Sequence, residues 1–267
     1  MWPPPAQVDS FHLLHFSCNR RAMIEAVIFD LDGTLVQTEQ LKARSYARAA
    51  IELCPGDIEE EAVIEAYKEV VGRSRRDVAE ALMQAFDLEP AATERADAQG
   101  EGLAPWEALV EVRFGYYHDL IRDAEVVRAH RCTHALELLA EVQQSGRAVG
   151  LATTSERREA GEVLEALGLA GAFGAVTTAD DVERTKPDPE AYHVVAGQLG
   201  APPERCLAIE DSPAGVEAAL AAGTRCVAVP NEFTREALSE AGPIDPRFVA
   251  EDPADLPAKA HALLESA

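Results

Sequence analysis

Five short apolar runs punctuate the chain: AVIF from Ala26, AVGLAT from Ala148 to Thr153, AVTT from Ala175 to Thr178, CLAIE from Cys206 to Glu210 and RCVAV from Arg225 to Val229. The first is rich in β-branched and aromatic residues and is broken by Asp-Gly, the others are comparable apolar runs, and each predicts a buried strand. Between them, Thr133 to Ser145, Glu156 to Leu167, Pro189 to Leu199 and Ser212 to Ala222 carry apolar residues three and four positions apart. That spacing predicts helices, and Gly146, Gly168, Gly200 and Gly223 follow as their stops. Strands alternating with helices predict βαβ units and an α/β fold on a parallel sheet. In such a sheet, ligands gather at the carboxyl ends of the strands.

The alternation fails between Thr38 and Val127, where only amphipathic helical text occurs: KARSYARAAIEL, EEAVIEAYKEVV, RRDVAEALMQAF and PWEALVEVRFGYYHDLI. Four or five helices inserted after the first strand predict a separate helical bundle over residues 38–127, with the α/β domain made of residues 23–37 and 128–267. The acidic run Glu59 to Glu61 reads as a solvated helix start. Residues 1–22 read as an extension without chemistry. The tail around Pro243, Pro246, Pro253 and Pro257 predicts loops flanking a last short strand and a terminal helix.

Composition removes several function classes. With 267 residues and 47% hydrophobic content the chain is long enough and apolar enough for a globular core. Lys and Arg number 24 against 47 Asp and Glu, a formal charge of −23, which repels nucleic acid and anionic membranes as partners. No apolar run reaches the roughly 18 residues of a membrane span. The 5 cysteines are scattered and odd in number, without a C-x-x-C pair, which fits a reduced, cytoplasmic compartment. A monomer or weak homo-oligomer is expected.

At the predicted strand ends stand Asp30 and Asp32, then Thr153, Thr154 and Ser155, then Lys186 in a loop, then Glu210 and Asp211. A parallel sheet brings all of them to one crevice. Carboxylates, hydroxyls and one lysine make the inventory of a Mg²⁺-assisted phosphoryl-transfer site, because hard oxygen ligands suit Mg²⁺ and the lysine offsets phosphate charge. Each motif alone has a plainer reading: Asp-Gly after a strand is an ordinary turn, and Asp188 and Pro189 serve to start a helix.

Together, DLDGT (Asp30 to Thr34), LATTS (Leu151 to Ser155), KPDPE (Lys186 to Glu190) and IEDSPAGVEAA (Ile209 to Ala219) resemble, in that order, the haloacid dehalogenase superfamily of phosphotransferases. The resemblance runs from about Met23 to the C-terminus. It implies a Rossmann-like α/β core with an inserted helical cap, nearest to the subgroup of β-phosphoglucomutase and sugar-phosphate phosphatases. It further implies Asp30 as nucleophile and Asp32 as general acid and base, the proton on Asp32 being favoured by the neighbouring carboxylate. Asp30, the Asp32 backbone carbonyl and Asp211 are the implied Mg²⁺ ligands, with Glu210 as ligand or in support. Thr153, with the Thr154 N–H, is expected on the transferring phosphoryl, and Lys186 is expected to balance its charge.

The substrate implied is a small phosphorylated metabolite of the sugar-phosphate kind, selected by the cap. Arg75, within GRSRRD, is a candidate for a second phosphate or carboxylate, ahead of Arg73 and Arg76; solvated or intrahelical ion pairs are the alternative. Lys42 stands where the mutase carries a histidine, and Cys132-Thr133 replaces the subgroup's Pro-Gly pair. Lys42 is a further substrate candidate, and its presence counts against a true mutase. The expected activity is Mg²⁺-dependent hydrolysis through an aspartyl-phosphate, with a phosphomutase and a non-catalytic regulatory protein as alternatives.

Overall fold

Ala26–Phe29 forms β1, the central strand of a five-stranded parallel sheet, and all four of its side chains are buried. The structure, a computed structural model, describes residues 23–54, 56, 58–71, 74–99, 102–241 and 244–265, so the expected extension 1–22 and Arg73 lie outside the described residues. β2 (Ala148–Ala152), β3 (Ala175–Thr177), β4 (Cys206–Glu210) and β5 (Arg225–Ala228) complete the sheet in the order β3-β2-β1-β4-β5. In register, Phe29 lies beside Leu151 of β2 and Ile209 of β4, so the residues following these three strands meet at one edge. The strand order reverses about β1, which opens a crevice there.

The strands bury both faces, as parallel strands must when helices cover them. Val27 and Phe29 point into a core closed by α7 (Thr133–Gln144), α8 (Arg157–Leu167) and α12 (Leu256–Leu264). Ala26 and Ile28 face the other way, toward α9 (Glu190–Leu199) and α10 (Pro213–Ala221). Gly150 allows α9 its close approach, because a Cβ there would lie 2.7 Å from Val195 Cγ2. Gly168 and Gly200 end α8 and α9 in the left-handed conformation, with φ of 76° and 69°, as their sequence positions predicted.

Between β1 and β2 the chain builds α1 (Thr38–Leu53), α2 (Glu60–Lys68), α3 (Arg75–Ala85), α4 (Glu89–Gln99), α5 (Pro105–Arg122) and α6 (Ala124–Ala129). Helices α1 to α5 share their own apolar cluster, including Tyr46, Val63, Tyr67, Leu82 and Leu109. Helix α5 runs from that cluster into the sheet's core, where its Tyr117, Leu120 and Ile121 are buried. The boundary expected at residue 127 falls inside α6, whose Val127 packs in the sheet's core, beside the end of α5 that enters it, rather than in the separate cluster of the inserted helices.

Two expectations need correction. The last short strand is a single parallel bridge between Val249 and Ala228, because Pro246 and Pro253 open 3₁₀ turns on both sides and withhold the N–H groups of a longer ladder. Helix α9 begins at Glu190 rather than Pro189, although Asp188 does accept the Glu190 N–H at 3.0 Å. Before β5, helix α10 starts as predicted, with Ser212 Oγ accepting the Gly215 N–H; after β5 comes α11 (Arg235–Ala241).

Candidate active site

The structure brings Asp30, Lys186, Glu210 and Asp211 together at the carboxyl end of the sheet. Asp30 follows β1 and is 5% exposed, while Glu210 ends β4 and is fully buried. Lys186 Nζ reaches across from the loop before α9 to Asp30 Oδ1 at 2.7 Å, Glu210 Oε1 at 2.5 Å and the Ala152 carbonyl at 2.8 Å, which uses all three ammonium protons. Carboxylate oxygens of Asp30, Glu210 and Asp211 lie within 4.8 Å of one another. Three buried carboxylates thus cluster beside one lysine, which pairs with Asp30 and Glu210.

The electrostatics follow from that imbalance. Burial, then the neighbouring Glu210 and Asp32, push Asp30 up to about 7 against the pull of Lys186. Burial and the charges of Asp30 and Glu210 hold Asp211 well above the carboxylate range. Lys186 loses by burial but gains more from Asp30 and Glu210, so it stays charged beyond its ordinary range.

Glu210 is held by both oxygens. Oε1 accepts from Lys186 and from Tyr192 Oη at 2.6 Å, and Oε2 accepts the Asp211 N–H at 3.2 Å. Gly215 leaves room for it, since any Cβ at that helical position would collide with the Glu210 carboxylate. Asp211 Oδ2 accepts from Asn231 Nδ2 at 2.7 Å. Gly33, at φ 85°, is required for the same reason: a Cβ there would strike Asp211 Oδ2.

Asp32 lies beside this cluster in a different environment. Its Oδ1 accepts from Thr38 Oγ1 at 2.5 Å, its Oδ2 from Ser155 Oγ at 2.7 Å and Thr153 Oγ1 at 3.1 Å, and Lys42 Nζ stands 3.6 Å away. Burial favours the protonated form, but Lys42 and the three hydroxyls outweigh it and hold Asp32 below the ordinary carboxylate value. The expectation of a protonated Asp32 is therefore corrected: donors to both oxygens, not the neighbouring carboxylate, decide its charge. The Thr153 hydroxyl is likewise committed to Asp32 and accepts the Ser155 N–H at 3.0 Å, whereas Thr154 is the exposed residue that lines the crevice.

The crevice has a volume of about 760 Å³ between these residues and the helices α1, α2, α3 and α5. Lys42 and Arg75 both line it, as expected of substrate candidates. Lys42 also pairs with Glu39 at 2.6 Å, and Glu39 accepts from Tyr67 Oη at 2.7 Å. Arg75 lies over the Phe114 ring at 4.6 Å. Arg76 points elsewhere, pairing with Glu80 at 2.8 Å, the intrahelical alternative weighed for this segment.

Four positions in contact with the acidic cluster or the crevice escaped the sequence. Arg113, 5% exposed, lines the crevice among the rings of Tyr46, Phe114 and Tyr117, and its Nε has no partner among the described residues. Its signal was an arginine inside an apolar helix stripe, which reads as filler until the stripe's neighbours are known. Tyr192, Asn231 and Phe233 carried no motif at all.

Fold and site together define an α/β enzyme with a buried acidic cluster at a strand edge. Residues 24–223 match the haloacid dehalogenase-like hydrolases, and the chain belongs to that family as an enzyme of the phosphoric monoester hydrolase class. The chain is 31% identical over 221 residues to a validoxylamine A 7'-phosphate phosphatase from Streptomyces hygroscopicus subsp. limoneus, covering 82% of this chain and 92% of that one. It is 31% identical over 201 residues to a phosphorylated carbohydrates phosphatase from Thermotoga maritima, covering 75% and 82%. Among solved structures, a HAD family hydrolase from Deinococcus radiodurans, with bound phosphate and sodium, superposes with a TM-score of 0.66 at 26% identity over 92% of this chain and 100% of that one. No helix of the described residues is long and apolar enough to cross a membrane.

Proposed function

We propose that the protein is a Mg²⁺-dependent phosphatase that hydrolyses a small phosphorylated metabolite of the sugar-phosphate kind through an aspartyl-phosphate on Asp30. The observation that carries this reading is the Asp30–Lys186–Glu210–Asp211 cluster, in which one ammonium faces three buried carboxylates. Such a set fits a hard divalent cation, because the excess negative charge of its oxygens matches Mg²⁺ in both sign and donor type. Asp30, Asp211 and the Asp32 backbone carbonyl are the groups to hold it, and Glu210 supports them from behind, both of its oxygens being occupied. Bound there, Mg²⁺ neutralises charge on the transferring phosphoryl and on Asp30.

Asp30 attacks phosphorus, splitting one displacement into two easier ones. Lys186 orients the Asp30 carboxylate and offsets phosphoryl charge, and the Thr154 N–H and hydroxyl meet the phosphoryl oxygens. Asp32 protonates the leaving alkoxide; the incoming phosphate dianion raises its proton affinity, opposing Lys42 and the hydroxyls. Having given its proton to the alkoxide, Asp32 is a carboxylate that the same donors stabilise, and it takes a proton from the water whose oxygen attacks phosphorus as the bond to Asp30 breaks. Helices α1 to α5 act as the cap that excludes bulk water, and Arg75, Arg113 and Lys42 on their inner side take a second anionic or polar group of the substrate. The phosphatases of Streptomyces and Thermotoga, both named for phosphorylated compounds, support this substrate class.

Phosphate release from a panel of phosphorylated metabolites with Mg²⁺, scored also for isomerised product, tests the reading. Release abolished by Asp30→Asn is the expected result. Isomer without free phosphate would establish the mutase instead, and neither product would leave a scaffold protein.

A further inference from the structure

Asn231 opens the turn that leads from β5 into α11, and its side chain is fixed at both ends. Its Oδ1 accepts the Phe233 N–H at 2.8 Å, so the amide can present only its NH₂ to Asp211, with Nδ2 to Oδ2 at 2.7 Å. Its backbone N–H donates to Thr234 Oγ1 at 3.1 Å, and its carbonyl accepts the Arg235 N–H at 3.0 Å, which anchors the loop to the start of α11. Asn231 is 9% exposed, and a Cβ at position 33 would lie 2.9 Å from its Nδ2, so the Asn231–Asp211 pair packs against the DLDGT turn in space that only a glycine leaves open.

The other end of the same loop is lodged among the inserted helices. Phe233 is buried in the cluster of α1 to α5, with its ring edge-on to Tyr67 at 6.2 Å and Lys68 Nζ 5.8 Å from its centroid. Glu232 accepts from Gln40 of α1 at 2.6 Å and pairs with Lys68 of α2 at 3.5 Å. Residues 231–233 therefore touch a carboxylate of the acidic cluster and two helices of the proposed cap at once.

We propose that Asn231 is a positioning residue that orients Asp211 for Mg²⁺, and that Phe233, seated against α2 in the cluster of α1 to α5, makes this orientation depend on the cap being docked. The inference rests on the phosphatase reading above. With Oδ2 held by Asn231, Asp211 offers its other oxygen to the cluster in one rotamer, and loss of the docked Phe233 frees the loop that holds the amide.

Titration of Mg²⁺ alone into the substrate-free full chain, followed by calorimetry, tests it beside thermal melts of each variant. Asn231→Ala raises the Mg²⁺ Kd about tenfold, the low end of what loss of a ligand-orienting partner costs, and the melting temperature stays near wild type. Asn231→Ser, which keeps a shorter donor, gives an intermediate Kd and serves if the alanine variant is poorly folded. Phe233→Ala raises Kd roughly threefold alone and adds nothing on the Asn231→Ala background, as expected for two residues acting through one contact. A wild-type Kd in a folded Asn231 variant overturns the positioning role, and a Phe233 effect that adds in full overturns the coupling. In either case a wild type that binds Mg²⁺ and releases phosphate leaves the phosphatase reading standing; a wild type that binds no Mg²⁺ overturns both.

Discussion

Lys186 Nζ lies 2.7 Å from Asp30 Oδ1, joining a loop lysine to a carboxylate 156 residues earlier in the chain. The lysine side chain is 4% exposed and also serves Glu210, so neither carboxylate has water as a substitute partner. Removing one member of a buried charged set leaves the others uncompensated. In metal-free protein, Lys186→Met should lower stability by about 3–5 kcal/mol, measured by urea unfolding. It should also abolish measurable phosphate release.

Metal-free protein should lose stability as pH rises. Asp30 is raised from 3.8 to about 7 by burial and by its acidic neighbours, so the folded state binds its proton more tightly than the unfolded state does. The resulting stabilisation is full below pH 3.8 and disappears as pH climbs through about 7. Melting temperatures in EDTA across that window should fall from acid to neutral for this group, and Asp30→Asn should flatten the fall. Saturating Mg²⁺ should raise the melting temperature more at pH 8 than at pH 5, because its ligands must be deprotonated.

Arg113 has three aromatic rings around its guanidinium and no carboxylate bound to its Nε. With the substrate, Arg113→Met should raise KM roughly 10-fold or more while kcat changes less, the pattern of lost ground-state binding to a charged group. Hydrolysis of p-nitrophenyl phosphate, which has no second anionic group, should keep its KM. Equal losses on both substrates would place Arg113 in packing alone.

Gly215→Ala adds a methyl group where the Glu210 carboxylate already lies. Because Glu210 is tied by Lys186, Tyr192 and the Asp211 N–H, it has no free rotamer to move into. The variant should lose about 1–3 kcal/mol of stability in urea melts. Exposed Gly161→Ala on α8, where a Cβ meets nothing within 4 Å, should be neutral or stabilising by comparison.

What could be read without the fold was local. The strands at Ala26, Ala148, Ala175, Cys206 and Arg225 and the glycine-stopped helices were legible because short apolar runs, helical spacing and αL stops are properties of a few adjacent residues. Asp30, Lys186, Glu210 and Asp211 were legible because each stands in a short motif at a strand end, and a parallel sheet then brings strand ends together.

The charge state of Asp32, the orientation of Asp211 and the buried cation of the crevice roof were decided elsewhere. Asp32 depends on Thr153, 121 residues away, as well as on nearby Thr38 and Lys42. Asp211 depends on an asparagine beyond the next strand, and Arg113 on which rings α1 and α5 bring against it. A motif records what a residue can donate or accept. Only tertiary packing removes water and sets the competing partners, and those two terms determine where each proton and each unpaired charge resides.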